Sequence, residues 1–289
     1  MVRLQHDGPA EIYLKLENLQ PIGSFKLRGA GNALALAGPD ELSAGLWTAS
    51  AGNMAQAVAW HARERRLPCT AVVPDTAPQT KLDAIERLGA AIVKVSPDTW
   101  FEVFRTRSYS GMQGLFVHAF SDPAVMAGNG TIALEILEDL PDPDEVLIPF
   151  GGGGLSCGIA SALRALVPGC EVYACEVETA APLSASLAAG EPVEVEHVPS
   201  FVDGIGGPRV FPEMFELARE LLEGSLVVGL DHVAAAIRLL VERNRVVAEG
   251  AGAAPVAAAL ARTGKVVCVV SGGNIDSEKL QTILSGKTP

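Results

Sequence analysis

The sequence predicts an α/β protein whose sheets are mostly parallel and covered by helices on both faces. Short apolar segments alternate with alanine-rich segments of helical length, as in 45–50 followed by 53–66. The apolar segments are hydrophobic along their whole length, which is typical of strands buried on both faces. Alternation of strand and helix favours parallel pairing, because the helix returns the chain to the edge where the previous strand began.

The same alternation continues in order along the chain. Strand and helix pairs are predicted at 69–74 with 76–89, 90–95 with 97–111, 145–150 with 155–169, and 171–177 with 181–190, and a last strand at 265–271. The acidic, proline-containing segment 190–213 lacks this periodicity and is predicted to be a loop that could cover a site.

Composition excludes several classes of function. The net charge is −12 at pH 7, so the surface repels phosphate backbones and nucleic-acid binding is not expected. No apolar run is long enough for a signal peptide or a membrane span, so we expect a cytoplasmic protein without membrane association. The five cysteines are scattered and form no CxxC pair, which indicates reduced thiols and neither disulfides nor a zinc site.

Four consecutive glycines, Gly151, Gly152, Gly153 and Gly154, follow a predicted strand and open a predicted helix. Glycines can turn the backbone so that successive N–H groups face an anion, and the helix N-terminus adds partial positive charge. The segment therefore predicts a phosphate site. No Lys-Ser/Thr pair follows, and the spacing is not that of a dinucleotide fingerprint. From this motif alone, a turn for close helix–sheet packing remains an alternative.

Two other polar turns follow predicted strands. Ser271 begins "SGGN" at the carboxyl end of a buried strand, where parallel sheets bind ligands. Ser50, Gly52 and Asn53 form a small polar loop that could bind an anion at the next helix N-terminus. Taken singly, an ordinary tight turn and a plain helix cap explain these segments equally well.

Lys26 stands between Gly-Ser-Phe and a run rich in glycine and alanine. A lysine among small residues can be partly desolvated, which makes its amine available for a Schiff base. A solvated lysine on a helix is the alternative from this residue alone. Combined with a phosphate site without nucleotide motifs and an anion loop, Lys26 favours a pyridoxal 5'-phosphate enzyme.

Six motifs together carry a resemblance to a known family. They are "LKLENLQPIGSFKLRGAGNAL", "SAGN", "TAPQTKLDAIERLGA", "AGNGTIALEI", "PFGGGGL" and "SGGN". In this order they resemble the serine/threonine dehydratase (threonine ammonia-lyase) and serine racemase family of pyridoxal-phosphate enzymes, from about residue 12 to about residue 276. The resemblance implies fold type II, the tryptophan synthase β-like fold, with two open, mostly parallel twisted sheets flanked by helices. It implies a large cofactor-binding domain of residues 1–44 plus 127–289 and a small mobile domain of residues 45–126.

The resemblance also implies roles for individual residues. Lys26 would form the Schiff base with the cofactor and later move the α-proton, and Phe25 would pack beside the cofactor. Asn53 would hydrogen-bond the phenolic oxygen, and Ser271 would face the pyridine nitrogen. The phosphate would be bound by Gly151, Gly152, Gly153, Gly154 and the Leu155 amide, with Gly204 and Glu249 flanking the cofactor. The substrate carboxylate would be received by the loop of Ser50, Ala51, Gly52, Asn53 and Met54.

Several positions depart from the family pattern. Ala51 replaces the serine that a racemase uses to reprotonate Cα, so elimination is favoured over racemisation. Met54 replaces a histidine, which opens the identity of the substrate side chain. Glu176 is a weak candidate for a cation site, but Pro182 stands where the second carboxylate is usual, so no metal is expected unless Glu178 substitutes. The chain lacks the family's N-terminal segment and any regulatory domain after Ser271, so feedback control is not expected.

The predicted reaction is β-elimination of the hydroxyl of L-threonine or L-serine, which yields a 2-oxo acid and ammonia. The alternatives are a dehydratase for another β-hydroxy or modified amino acid, as in compatible-solute catabolism, a serine racemase-like enzyme, β-replacement, and a catalytically silent binding module. The expected partner is a small-molecule amino acid, and the resemblance implies a homodimer.

Overall fold

The computed structural model describes residues 1–289 and contains ten strands and twelve α-helices. The strands are β1 (Val2–Arg3), β2 (Ala10–Leu16), β3 (Leu46–Ala49), β4 (Cys69–Pro74), β5 (Ala91–Val95), β6 (Leu115–Phe116), β7 (Glu145–Pro149), β8 (Glu171–Val177), β9 (Gly224–Val228) and β10 (Gly264–Val270). The helices are α1 (Lys26–Leu36), α2 (Pro39–Ser43), α3 (Asn53–Arg65), α4 (Gln79–Glu86), α5 (Pro97–Thr106), α6 (Pro123–Asp139), α7 (Gly154–Leu166), α8 (Pro182–Ala189), α9 (Pro212–Leu221), α10 (Leu230–Leu239), α11 (Gly250–Ala259) and α12 (Ser277–Leu284).

The chain divides into two compact units, residues 1–25 with 130–289, and residues 26–129. The second unit contains the whole of the predicted small domain 45–126, together with α1 and α2. The mobility of that domain and its sequence-based boundaries remain predictions.

The first unit is built on a six-stranded sheet in the order β1-β2-β10-β7-β8-β9. Neighbouring strands are parallel except for the short edge pair of β1 and β2. Its central strand β10 is rich in β-branched valines and is buried from Val266 to Val270, as expected for a strand covered on both faces. Helix α11 packs across β7, β8, β9 and β10.

The second unit is built on a four-stranded parallel sheet in the order β5-β4-β3-β6. All four residues of β3, including Thr48, are buried, as expected for a strand covered on both faces. The prediction of two mostly parallel sheets flanked by helices is therefore confirmed. The segment 190–213 is a loop up to the start of α9 at Pro212, as predicted.

No helix is long and apolar enough to cross a membrane.

Candidate active site

Lys26 is the first residue of α1, and its side chain is half-buried. Its Nζ donates a hydrogen bond to the carbonyl oxygen of Ala119 at 2.5 Å. Glycines fix the position of this helix, because a Cβ at Gly128 of α6 would lie 2.5 Å from the Arg28 carbonyl. The amine therefore has a defined position, which a solvated surface lysine lacks.

Ala119 reaches this position because the chain after β6 continues alongside β3. Leu46 pairs with Leu115 and Trp47 with Phe116 in parallel register. The Val117 amide then donates to the Trp47 carbonyl at 2.9 Å. The register thus brings Ala119 to the carboxyl end of β3, where parallel sheets place their ligand-binding groups.

The loop of residues 50–54 begins at that same carboxyl end. The Gly52 amide donates to the Ser50 Oγ at 3.2 Å. Gly52 occupies the N-cap of α3 and has no side chain with which to cap it. Asn53 is the first residue of α3, and the Met54 side chain is only 1% exposed. The structure therefore groups Lys26 with the predicted carboxylate-binding loop at one end of the four-stranded sheet.

His118 and Arg107 order the turn that carries Ala119. His118 is 1% exposed, and its Nδ1 accepts hydrogen bonds from the amides of Ser121 at 2.8 Å and Phe120 at 3.2 Å. Burial lowers the pKa of His118 to about 3, and the cations of Arg107 and Lys26 act in the same direction. Neutral imidazole is required here, because only an unprotonated Nδ1 accepts. From the other side, the Arg107 Nη2 donates to the Ser121 carbonyl.

A second buried histidine joins α1 to α3. The His61 Nε2 donates to the Leu27 carbonyl at 2.8 Å, and its Nδ1 accepts from the Arg65 Nη1 at 3.0 Å. Burial lowers the pKa of His61, which suits this neutral arrangement. The ring lies against Gly31, where a Cβ would come within 2.8 Å of Nε2. His61 thus fixes the first turn of the helix that carries Lys26.

The glycine segment of the first unit forms the entrance to α7. Gly153 is the N-cap with φ +88° and ψ −15°, and a glycine has no side chain with which to cap the helix. The Ser156 hydroxyl, three residues on, donates to the Pro149 carbonyl at 3.2 Å and so does not cap α7. The N–H groups in the first turn of a helix have no carbonyl partner within the helix, and at a glycine-lined turn such groups suit a phosphate.

Ser271 follows β10 directly and is 2% exposed. Its carbonyl accepts from the Phe25 amide at 2.9 Å, and Ser24 forms an antiparallel bridge with Gly272. This pairing joins the strand end at Ser271 to the residue that precedes Lys26 in the chain.

Gly204 and Glu249 lie beside this strand end. The Glu249 amide donates to the Gly272 carbonyl at 3.0 Å. A Cβ at Gly204 would lie 3.2 Å from the Glu249 Oε1, and a Cβ at Gly151 would lie 3.5 Å from the Gly204 carbonyl. The first unit thus brings together Phe25, Gly151, Gly204, Glu249 and Ser271, which stand far apart in the sequence.

Glu176 acts as a helix cap in this fold. Its carboxylate accepts from the amides of Leu183 and Ser184, each at 2.8 Å, and from the Ser225 hydroxyl at 2.6 Å. Burial raises the pKa of Glu176, and the three donors oppose that rise. Pro182 is the first residue of α8, a position where a missing N–H is no loss.

Glu178 serves another helix, since it accepts from the Leu230 amide at 2.7 Å. No group of three or more His, Cys, Asp or Glu side chains could hold a metal ion.

Comparison with known proteins places the chain in a family. Residues 2–272 match the pyridoxal-phosphate dependent enzyme family, and the chain belongs to it. It is 41% identical to an L-threonine ammonia-lyase of Thermotoga maritima, over 95% of this chain and 70% of that protein.

Two solved structures are also similar. The processed form of threonine deaminase isoform 2 from Solanum lycopersicum has a TM-score of 0.87 and 33% identity, and the match covers 96% of this chain and 83% of that one. The serine racemase of Dictyostelium discoideum has a TM-score of 0.84 and 34% identity, with 92% and 88% covered. The resemblance stated from the motifs is confirmed, and with it fold type II and pyridoxal phosphate as the cofactor.

The residues of the chain fit this cofactor. A glycine-lined helix N-terminus suits its phosphate, and a half-buried lysine with an ordered amine suits its aldehyde. The sequence did not reveal Ala119, His118 or Arg107, because Ala119 contributes a backbone atom 93 residues from Lys26.

Proposed function

We propose that this protein is an ammonia-lyase that eliminates the β-hydroxyl of L-threonine or L-serine and yields a 2-oxo acid and ammonia. The observation that carries the proposal is the ordered Lys26 amine at the strand end where the loop 50–54 begins. Further support comes from the 41% identical relative, which is named an L-threonine ammonia-lyase.

Each group of residues has a task in this proposal. When bound, pyridoxal phosphate withdraws electrons from the α-carbon of an attached amino acid, so that its proton can be removed. Lys26 would hold the cofactor through its amine and would accept the α-proton of the substrate. The amides of the glycine segment 151–154 and of Leu155 bind the phosphate. Ser271 offers a hydroxyl to the pyridine nitrogen, and Asn53 offers its amide to the phenolic oxygen.

The remaining residues orient the ligand. We propose that Phe25, Gly204 and Glu249 flank the cofactor and that the loop 50–54 receives the substrate carboxylate. Glycines suit such positions because backbone can approach a ligand closely there. The ordered Ser50–Gly52 turn gives the loop a defined shape before any ligand binds.

Ala51 favours elimination over racemisation. Racemisation requires a second group that can donate a proton to the opposite face of Cα. The methyl group of Ala51 has no acidic proton to donate. A serine racemase-like activity is the second candidate, supported by the 34% identity to the Dictyostelium discoideum enzyme.

Met54 leaves the substrate side chain open to another β-hydroxy or modified amino acid. The residue is fully buried in the second unit and is a flexible thioether where a polar ring would hydrogen-bond. A panel of β-hydroxy amino acids, compared by kcat/KM for ammonia release, ranks the substrates. A preference for a substrate other than threonine or serine would replace the default assignment.

The central test is Lys26→Ala in purified protein supplied with pyridoxal phosphate. We expect loss of the visible absorbance of the lysine-bound cofactor and loss of 2-oxo acid formation from L-threonine. The matched control is Lys94→Ala, since Lys94 is an exposed lysine on β5 of the same unit. Retention of both signals in Lys26→Ala would disprove the role of Lys26. Formation of D-serine from L-serine as fast as ammonia release would favour the racemase candidate.

We also propose that the protein is a cytoplasmic homodimer. All five cysteines are unbridged, as a reducing compartment requires. Light scattering coupled to gel filtration should give twice the chain mass of 30.1 kDa. A mass of one chain would disprove the dimer.

A further inference from the structure

We propose that the turn 118–121 is a docking site for the protonated Lys26 amine when it is not bonded to the cofactor, and that His118 and Arg107 are its positioning residues. The inference rests on the proposed role of Lys26 and adds where the displaced amine is held. The direct observation is the hydrogen bond from Nζ to the Ala119 carbonyl at 2.5 Å.

The turn is built to keep this carbonyl in place. On one side of it, the amides of Phe120 and Ser121 converge on a single acceptor, the His118 Nδ1. On the other side, the Ser121 carbonyl accepts from Arg107, which ends α5 in a left-handed conformation at φ 57°. The preceding residues are held against β3 through the bond from the Thr48 Oγ1 to the Val117 carbonyl at 2.8 Å.

The electrostatics of the turn suit a temporary site. The acceptor for the Lys26 ammonium is a neutral carbonyl, and a second cation, Arg107, donates to the Ser121 carbonyl of the same turn. A carboxylate would hold the ammonium more strongly, because it adds the attraction of a full negative charge at short range. A carbonyl therefore orders the amine and still lets it leave.

His118 maintains this arrangement because it stays neutral. The charged groups that act on its ring are Arg107 and Lys26, and both oppose its protonation, as does burial. The phenyl rings of Phe104 and Phe120 pack against the imidazole, with centroids at 4.4 Å and 4.9 Å. The acceptor at Nδ1 is thus retained throughout the ordinary pH range.

Competitive amine labelling of the cofactor-free 289-residue chain tests the proposed docking site. The seven lysines are labelled with a limiting acylating reagent, and mass spectrometry gives the labelling ratio of Lys26 to the exposed Lys94. A docked ammonium is a poor nucleophile, so the wild-type ratio should be low.

His118→Ala removes the acceptor that orders the turn and should raise the ratio about tenfold, the worth of one hydrogen bond to a charged group. His118→Asn places an amide oxygen near the position of Nδ1 and should restore the wild-type ratio within about twofold, in keeping with the context dependence of single hydrogen bonds.

Arg107→Asn tests the turn from its other side. Asparagine tolerates the left-handed backbone at this position but cannot reach Ser121. We expect the labelling ratio of Lys26 to Lys94 to rise by roughly threefold, which is half of the tenfold effect of His118→Ala on a logarithmic scale. The effect is smaller because the bonds to His118 still order the turn. An unchanged ratio in both His118→Ala and Arg107→Asn, with far-UV circular dichroism retained, would overturn the proposal. If far-UV circular dichroism shows that His118→Ala has unfolded, the ratio in Arg107→Asn decides.

A parallel sample loaded with pyridoxal phosphate separates this inference from the proposed function. Bonding to the cofactor should protect Lys26 from the reagent completely. Absence of protection would disprove Lys26 as the cofactor lysine and leave the labelling ratios of the cofactor-free chain unaffected. If the cofactor protects Lys26 but the labelling ratios of the cofactor-free variants equal that of the wild type, the docking site is disproved and the role of Lys26 stands.

Discussion

Gly153→Ala should destabilise the cofactor-free protein by about 2–4 kcal/mol, while Gly151→Ala should be nearly neutral. Gly153 has φ +88°, and an alanine in the left-handed region costs about 1–2 kcal/mol. Its new Cβ would also lie 3.0 Å from the Phe150 ring and 3.1 Å from the Met214 Cε, and such overpacking adds about 1–2 kcal/mol.

Gly151 is the matched control in the same segment. It has no positive φ, and its nearest neighbour to an added Cβ is the Gly204 carbonyl at 3.5 Å, an ordinary contact. Both substitutions restrict the unfolded chain equally, by about 0.4–1 kcal/mol, so this contribution cancels in the comparison.

The assay is urea unfolding of both cofactor-free variants, monitored by circular dichroism, with the midpoints converted through a common m-value. Equal midpoints for Gly153→Ala and Gly151→Ala would refute the assignment of a strained N-cap at α7. Added phosphate should raise the wild-type midpoint more than that of Gly153→Ala, since a ligand that binds the folded state stabilises it.

Three further outcomes follow from buried polar groups. Glu176→Gln should lower the unfolding free energy by about 1–3 kcal/mol, because the amide offers one acceptor oxygen to the three donors around that carboxylate. Urea unfolding measures this loss. The control is Glu178→Gln, since Glu178 accepts from a single exposed amide. The folded-state pKa of His118 lies below its unfolded value, so the unfolded chain binds more protons below about pH 6.5, and the unfolding free energy should fall from there towards pH 3. In acid-dependent unfolding, His118→Asn should reduce the slope of unfolding free energy against pH by up to about 1.4 kcal/mol per pH unit. An unchanged slope would contradict the neutral, buried imidazole. Ser24→Ala should leave stability unchanged or raise it by up to about 1 kcal/mol, since the buried Ser24 hydroxyl has no hydrogen-bond partner; a thermal melt that shows a loss of more than about 1 kcal/mol would contradict this.

The sequence was informative wherever function needs a distinctive residue type. Lys26, the glycine segment 151–154 and Ser271 were predicted as site residues because each stands at a strand end or helix start in a recognisable motif, and their roles remain predictions. The strands at 69–74 and 171–177 were predicted with the bounds that the structure shows, since each is a short, mainly apolar segment between two turns.

Groups that act through the backbone or through tertiary contact could not be predicted. Ala119 contributes a carbonyl, which every residue has, so nothing in its side chain marks it. Glu176 was a weak candidate for a cation site, whereas the fold turns its carboxylate onto the first amides of α8. The contact of the Glu176 carboxylate with these amides depends on the position of α8 relative to the end of β8, which no local sequence pattern encodes.

The close approach of α11 to the strand end restricts how this enzyme can be redesigned. A Cβ at Gly252 would lie 2.6 Å from the Gly272 carbonyl and 3.4 Å from the Ser271 amide. Any side chain at position 252 would therefore displace the segment that sets the position of Ser271. A variant library for new substrates should keep glycine at position 252 and place its diversity in the loop 50–54, which we propose to contact the substrate.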